Sequence, residues 1–432
     1  MWKFSSKKFN KANYYYFITT YLLKWILIGL VIGTLSGSAS ALFLYSLDFV
    51  TNWRESHVWI IYFLPVGGLL IGLLYHYLGK EVEAGNNLLL DEIHNPRKVI
   101  HFKMAPMVFI GTVGTHLFGG SAGREGTAVQ MGGSIADQLT HLFKFRPRDR
   151  MVILICGISG GFASVFGTPL AGAIFGLEVY LMGKLRYNSI LPSIITAIIA
   201  DQVCTLWGVV HTSYVIGPIP NSSIYSIGYC IVAGIAFGLV ARLFAWLTHR
   251  IGKFFKSKIS YAPWRPLAGG FIVALGVIIL GTTKYIGLGI PTIEEAFLNT
   301  LPPYDFLIKV LFTSITLGAA FKGGEVTPLF FIGATLGNAL AYFVPLPMGM
   351  LAGLGFVAVF AGAANTPIAT TFMAIELFGI EIGIYAAIAS VVSYMFSGHL
   401  GIYGSQVIGE RKHFLFGREE GKKISELNQE KH

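Results

Sequence analysis

Two short stretches of this chain could hold and move charge. Gly123-Arg124-Glu125-Gly126-Thr127 sets a carboxylate among glycines, and Gly323-Gly324-Glu325-Val326-Thr327 repeats the pattern 200 positions later. Each leads into an apolar run of helical length, 128–139 after the first and 328–341 after the second. The first four N–H groups of a helix have no partner inside it and carry positive partial charge. Two such ends aimed at one point inside a membrane would make an anion site. Glycine permits the close backbone approach this requires, and Pro328 suits a first helical turn.

Glu125 is the residue best placed to carry a proton. An ionised carboxylate at membrane depth is costly, so a carboxylate kept there is a functional candidate by default. Helix dipole, desolvation and a neighbouring anion pull its protonation in opposite directions, which links protonation to anion occupancy. The plainer alternative is an N-terminal helix cap. Glu325 carries the same two readings, a second proton-handling carboxylate or a buried cap. Gly126, Thr127, Val326 and Thr327 offer first-turn amides or hydroxyls beside them, and Asn86 offers a side-chain amide. Phe330 and Phe331 could turn positive ring edges to an anion, although adjacent aromatics in an apolar helix more often pack. Tyr403 could donate its phenolic O–H; with 20 tyrosines in the chain, a membrane-interface tyrosine is its alternative. Glu178 and Glu376 read as structural. Arg124 reads as a partner for carbonyls or carboxylates, because a fixed guanidinium would hold a transported ion too tightly. The 11 histidines show no HExxH or other ligand spacing, so neither a metal site nor a cofactor is expected.

The elements that must position these residues belong in a membrane. The chain is 54% hydrophobic and 12% charged, well below the roughly 25% charge of soluble domains. Runs such as 26–50 and 224–247 exceed the ~20 residues that cross a bilayer. With 52 glycines and apolar runs interrupted by Gly and Pro, the expected class is an all-α polytopic membrane protein with broken, closely packed helices. The net charge of +10 falls largely between apolar runs: Lys3, Lys7, Lys8 and Lys11; Arg146, Arg148 and Arg150; Arg411, Lys412, Arg418, Lys422 and Lys423. That is the distribution of cytoplasmic ends and loops facing anionic lipid, so both termini are expected in the cytoplasm and nucleic acid is not a partner. Cys156, Cys204 and Cys230 are isolated and read as small core residues.

The expected organisation is a cytoplasmic segment 1–20, a first membrane repeat 21–210, a connection 211–223, a second repeat 224–410 and a cytoplasmic tail 411–432. Spans are expected at 26–50, 59–78 and 99–118, then a helix to about 142, a run 151–181 and a span ending near 207. The second half repeats them at 224–247, 266–280 and 304–320, a helix to about 343, a run 348–377 and a final run 380–396. Gly167-Thr168-Pro169 and Asn365-Thr366-Pro367 break the long runs, since residues before proline disfavour the α region. Pro169 precedes Glu178 by nine residues and Pro367 precedes Glu376 by nine. Such halves are commonly inverted, with the site at their interface. The polar end, 417–432, is expected to fray.

At these residues the chain resembles the CLC family of anion channels and proton-coupled exchangers, over about 22–411. Gly123-Arg124-Glu125-Gly126 matches the family's GREGP signature, with Thr127 in place of proline. The resemblance implies that Glu125 gates the anion path and carries the proton. Gly85-Asn86-Asn87-Leu88-Leu89 stands where chloride-transporting relatives have GSGIP, and Gly324-Glu325-Val326-Thr327-Pro328 where they have GxFxP. Val179 stands where chloride/proton exchangers often place an internal proton-relay glutamate. Together these departures resemble the bacterial fluoride-exporting branch. Tyr403, in Gly401-Ile402-Tyr403-Gly404, matches the family's inner-gate tyrosine.

The resemblance implies a homodimer with one pore per subunit, in a bacterial inner membrane, exporting fluoride in exchange for protons. The nearest alternative is a chloride/proton exchanger or a voltage-gated-type chloride channel of the same fold. An organic-anion transporter of another broken-helix fold is a more distant one. No nucleophile–base or metal constellation is legible, so an enzyme is not expected.

Overall fold

The computed structural model describes residues 11–143, 145–414, 417 and 419–430. Eight helices form the first half: α1 (Lys11–Ser56), α2 (Leu64–Leu78), α3 (Asn86–His94), α4 (Met104–Leu117), α5 (Glu125–Phe143), α6 (Pro147–Phe166), α7 (Pro169–Glu178) and α8 (Ile190–Leu206), with a short strand β1 (Leu181–Met182) before the last. Eight more form the second: α9 (Ile224–Lys258), α10 (Trp264–Leu280), α11 (Ile290–Leu298), α12 (Asp305–Gly318), α13 (Val326–Leu340), α14 (Met348–Ala364), α15 (Pro367–Phe378) and α16 (Gly383–Phe396). A strand β2 (Val407–Ile408) and a helix α17 (Ile424–Glu430) follow. The second eight repeat the first in order: a long opener of 46 or 35 residues, and a third helix of nine in each half.

Five helical stretches among the described residues are long and apolar enough to cross a membrane: Tyr15–Ser56, Val58–Leu78, Pro147–Phe166, Tyr187–Leu206 and Ile224–Lys258. Their outward faces carry exposed apolar side chains such as Leu27, Phe49, Leu70 and Val232, surface that hydrocarbon accepts and water does not.

The breaks fall where the sequence places them. Gly167 ends α6 at φ 71 and Asn365 ends α14 at φ 58, a left-handed cap that Gly and Asn adopt most readily. Pro169 and Pro367 then open α7 and α15. The central helices meet glycine to glycine. A Cβ on Gly333 would lie 2.0 Å from the Gly355 carbonyl oxygen, and one on Gly132 2.3 Å from that of Gly157. Small residues at such crossings let helix backbones touch.

The two halves grip each other reciprocally. Glu178 accepts the N–H groups of Ile368 and Ala369 at 3.1 and 2.8 Å, at the start of α15. Glu376 accepts those of Leu170 and Ala171, both at 2.8 Å, at the start of α7. Gly123 and Gly324 exchange backbone hydrogen bonds as an antiparallel bridge. Reciprocal pairs of this kind are what a two-fold relation generates.

Several details differ from the sequence reading. The terminal residues described are docked rather than frayed: Ile424 is buried, its N–H bonds to the Gln406 carbonyl, and Lys423 pairs with Asp91 at 2.7 Å. The apolar Ile424 and Leu427, buried in an otherwise polar segment, supply the anchor. Arg150 faces inward, not toward lipid headgroups, because Asp137 and Glu92 take its guanidinium at 2.7–2.8 Å. Lys412 likewise donates to Asn365, Tyr394 and Ser397. Helix α11 answers to no expected span; it is too short for one. The first helix already runs from Lys11, inside the segment 1–20, while Lys3, Lys7, Lys8 and Arg418 lie outside the described residues.

Candidate functional site

The fold aims the first turns of α5 and α13 at each other through the Gly123–Gly324 bridge. Glu125 is fully buried there. Its carboxylate accepts the Thr327 N–H at 3.0 Å, the Thr327 hydroxyl at 2.5 Å and the Arg124 N–H at 3.2 Å. The carboxylate of one half therefore caps the helix of the other. It occupies a place where orphan amides and the helix dipole would hold an anion.

Asn86 opens α3 directly after Gly85, whose φ of 58 turns the chain into that helix. A Cβ on Gly126 would sit 3.0 Å from Asn86 Nδ2, 3.1 Å from Gly324 Cα and 3.8 Å from Glu325 Oε2. Glycine at this point lets three segments converge. Asn86 Oδ1 and Glu325 Oε2 are buried and have no hydrogen-bond partner among the described residues. Glu325 makes no side-chain capping bond to α13, so the capping alternative gains no support. Val326 is buried in the first turn of α13.

Two spaces flank this cluster. One is a vestibule of about 770 Å³ beside the C-terminal end of α1, lined by Asp48, Asn52, Arg124, Thr212 and Lys284 among others. Arg124 reaches from its wall toward Glu125, Nε lying 3.6 Å from Oε1. The other is a cavity of about 140 Å³ bounded by Asn86, Gln130, Lys322, Glu325 and Tyr403. Tyr403 is buried, and its loop is pinned by the Ser405 N–H bonding to Asn87 Oδ1 at 2.9 Å.

Thr127, Phe330 and Phe331 are engaged elsewhere. The Thr127 hydroxyl pairs with the Thr112 hydroxyl on α4 at 2.7 Å and its N–H turns back to the Arg124 carbonyl. Phe330 stacks on Phe356 with centroids 3.9 Å apart and meets Phe166 and Phe360. Phe331 packs against Tyr285 and the Lys309 ammonium, which lies 5.0 Å from its ring centre. Both rings pack as consecutive positions on a buried helix dictate. Val179 faces a mostly apolar gap of about 10 Å³ that it shares with Leu89, Ile158 and Phe175 and, on the polar side, with Asn86 and Tyr403, a volume that holds one water at most.

Lys322 and Gln130 line this smaller cavity but are not marked out by their sequence context. A lysine inside Ala320-Phe321-Lys322-Gly323, between apolar runs, was the available signal.

Comparison with known proteins is consistent with this geometry. The family model described as "Voltage gated chloride channel" matches residues 67–398. The chain is 58% identical to a "Chloride/fluoride channel protein" of Pseudomonas syringae pv. tomato over 399 residues, 91% of this chain and 88% of that one. It is 25% identical to the "H(+)/Cl(-) exchange transporter ClcA" of Klebsiella pneumoniae over 82% of this chain and 80% of the relative. Among solved structures, a "CLC-type fluoride/proton antiporter" superposes with a TM-score of 0.87 at 34% identity, covering 89% of this chain and 98% of the other. A slow cyanobacterial Cl-/H+ antiporter shares the fold at a TM-score of 0.76 and 18% identity, over 94% and 97% of the two chains. The chain is thus a multi-pass membrane protein of the CLC type, and it belongs to the voltage-gated chloride channel family.

Proposed function

We propose that the protein is a fluoride/proton antiporter that exports fluoride from a bacterial cytoplasm in exchange for inward-moving protons. The observation that carries this reading is the seat of Glu125: a proton-binding group occupies the helix end where an anion would sit. Ionised, the carboxylate takes the Thr327 N–H and hydroxyl for itself. Protonated, it loses its charge and yields those donors to fluoride. Proton and anion thereby use one place in alternation, which is the requirement for exchange.

Fluoride is small and strongly hydrated, so only short, strong donors replace its water. The Thr327 hydroxyl and N–H, the first-turn amide of Val326 and the Asn86 side-chain amide are such donors, with Gly126 giving them room. Glu325 acts as a second carboxylate on the inner side, and Tyr403 guards the inner cavity. Phe330 and Phe331 form the packed wall behind. The name of the 34% structural neighbour supports fluoride as the substrate, and that of the 58% relative gives fluoride beside chloride. Proton-driven export also suits the chemistry, because neutral hydrogen fluoride crosses membranes and ionises inside.

In this reading the repeats 21–210 and 224–410 are joined by 211–223, both termini are cytoplasmic, and the protein is a homodimer in lipid. The test is efflux from liposomes holding the purified protein, with fluoride and chloride electrodes run beside external pH. Fluoride efflux with proton uptake and little chloride movement supports it. Predominant chloride flux would overturn the substrate. A second reading, an anion channel, is favoured by the printed name of the 58% relative; fluoride flux with no pH change would establish it.

A further inference from the structure

Lys322 lies in the link between α12 and α13, three positions before Glu325. Its stem packs on Gly111 of α4, where a side chain would meet the Lys322 Cβ at 2.9 Å. Its ammonium stands 4.0 Å from the centre of the Tyr75 ring. Among the described residues no carboxylate makes a direct ion pair with it, although Glu83 shares both of its neighbouring spaces and is close enough to act on its charge. An aromatic face steadies a cation without consuming its N–H donors on an acceptor.

Tyr75, Glu83 and Lys322 line two spaces at once. One is the inner cavity of about 140 Å³ that reaches Asn86, Glu325 and Tyr403. The other is a pocket of about 230 Å³ lined also by His76, Lys80 and Arg265. Lys80 and His76 are exposed at its rim. Lys322 therefore stands in the partition between the surface pocket and the cavity of the second carboxylate. The pocket carries Lys80, Arg265 and Lys322 against Glu83 alone.

This placement answers a difficulty in the proposed transport. An anion approaching Glu325 meets a like charge in a low-dielectric setting, where repulsion is strong. A cation beside the approach raises the local anion concentration. Lysine suits such a position because it is a compact point charge on a flexible stem, with three donors that turn with the ion.

We propose that Lys322 is the charge that admits a small, hard monovalent anion to the Asn86–Glu325–Tyr403 cavity from the side where α2 ends, with Lys80 and Arg265 as its outer rim. The proposal rests on the anion-transport reading.

The test compares Lys322→Gln, Lys322→Arg and wild type in proteoliposomes over a range of fluoride concentrations, after size-exclusion has shown each protein to be folded. Lys322→Gln is expected to raise the fluoride KM by about tenfold, within the range that such local concentration supplies. Its rate at saturating fluoride and its proton-to-fluoride ratio stay within about twofold of wild type, and Lys322→Arg restores the KM. A structural role would instead lower the saturating rate and leave KM in place. If Lys322→Gln fails to fold, Lys322→Met keeps the stem on Tyr75 and reads the same loss of charge. An unchanged KM in a fluoride-transporting wild-type background overturns the role of Lys322 alone. If wild type carries chloride instead, the substrate reading fails and the same KM comparison with chloride decides Lys322. A wild type that carries neither ion overturns both.

Discussion

Glu125 and Thr327 stand 202 positions apart, yet one carboxylate oxygen of Glu125 takes the Thr327 hydroxyl at 2.5 Å and the other its N–H at 3.0 Å. The contact joins the two halves at the point where both hinge segments meet. It also makes the proposed gating carboxylate and the proposed anion donors parts of one structure.

Removing the hydroxyl alone separates the two donors. Thr327→Val keeps the N–H and nearly the same volume. A hydrogen bond to a charged acceptor contributes about 1.5–3 kcal/mol, so fluoride, which would use the same hydroxyl, is expected to bind at least about tenfold more weakly. Concentration-dependent flux in proteoliposomes measures this. An unchanged KM would place the anion elsewhere.

The crossed caps make a separate forecast. Glu178→Gln and Glu376→Gln each keep a side-chain oxygen but lose its charge, at a helix start in the opposite half. Each should cost about 1–2 kcal/mol, read as a lower unfolding temperature in detergent. Fluoride flux per folded molecule should hold, because both carboxylates are engaged with helix N–H groups away from the proposed anion donors. A selective loss of proton coupling in Glu178→Gln would instead give that residue a place in the proton path.

Arg150 fixes α3, and so Asn86, to the body of the first half through Glu92 and Asp137. Arg150→Met leaves two buried carboxylates unpaired, which costs roughly 3–5 kcal/mol. Thermal unfolding should show a large drop, or the protein should fail to accumulate. Stability close to wild type would mean that this network is wetter than its burial indicates.

The docked end of the chain gives a fourth test. Ile424 lies against Gly401, two residues from Tyr403, and the Ser425 N–H bonds to the Gly404 carbonyl. Burying an isoleucine side chain is worth about 1.5–3 kcal/mol. Ile424→Asp should therefore release the terminal helix and make the chain after 409 sensitive to protease. Protection equal to wild type would show that the strand pairing alone holds the segment.

The hinges were legible because their chemistry is local. Glycines around a carboxylate, a Thr-Pro step and a glutamate nine residues on are patterns a single sequence displays; the structure starts a helix at the hinges and at each proline, ends α7 at Glu178 and carries α15 two residues past Glu376. The crossed partnership of Glu178 and Glu376 was not legible: spacing gives matched positions but not which half each one grips. Arg150 and Lys412 looked like headgroup-facing charges because their partners, Asp137, Glu92 and Asn365, come from distant segments. Thr127 and Phe331 sit beside the right residues in sequence, yet helical rotation of about 100° per residue turns their side chains to other neighbours. Lys322 was not legible either, because its meaning depends on two cavities that only the assembled fold creates.

The central claim is that Glu125 couples fluoride to protons, and its most direct test is fluoride-driven proton uptake by wild-type and Glu125→Gln proteins in matched liposomes. Wild type is expected to acidify the liposome interior as fluoride leaves. Glu125→Gln, folded and monodisperse, should show proton uptake below about a tenth of that rate, since catalysed proton transfer contributes at least about a hundredfold. Undiminished fluoride-driven proton uptake by Glu125→Gln would contradict the claim.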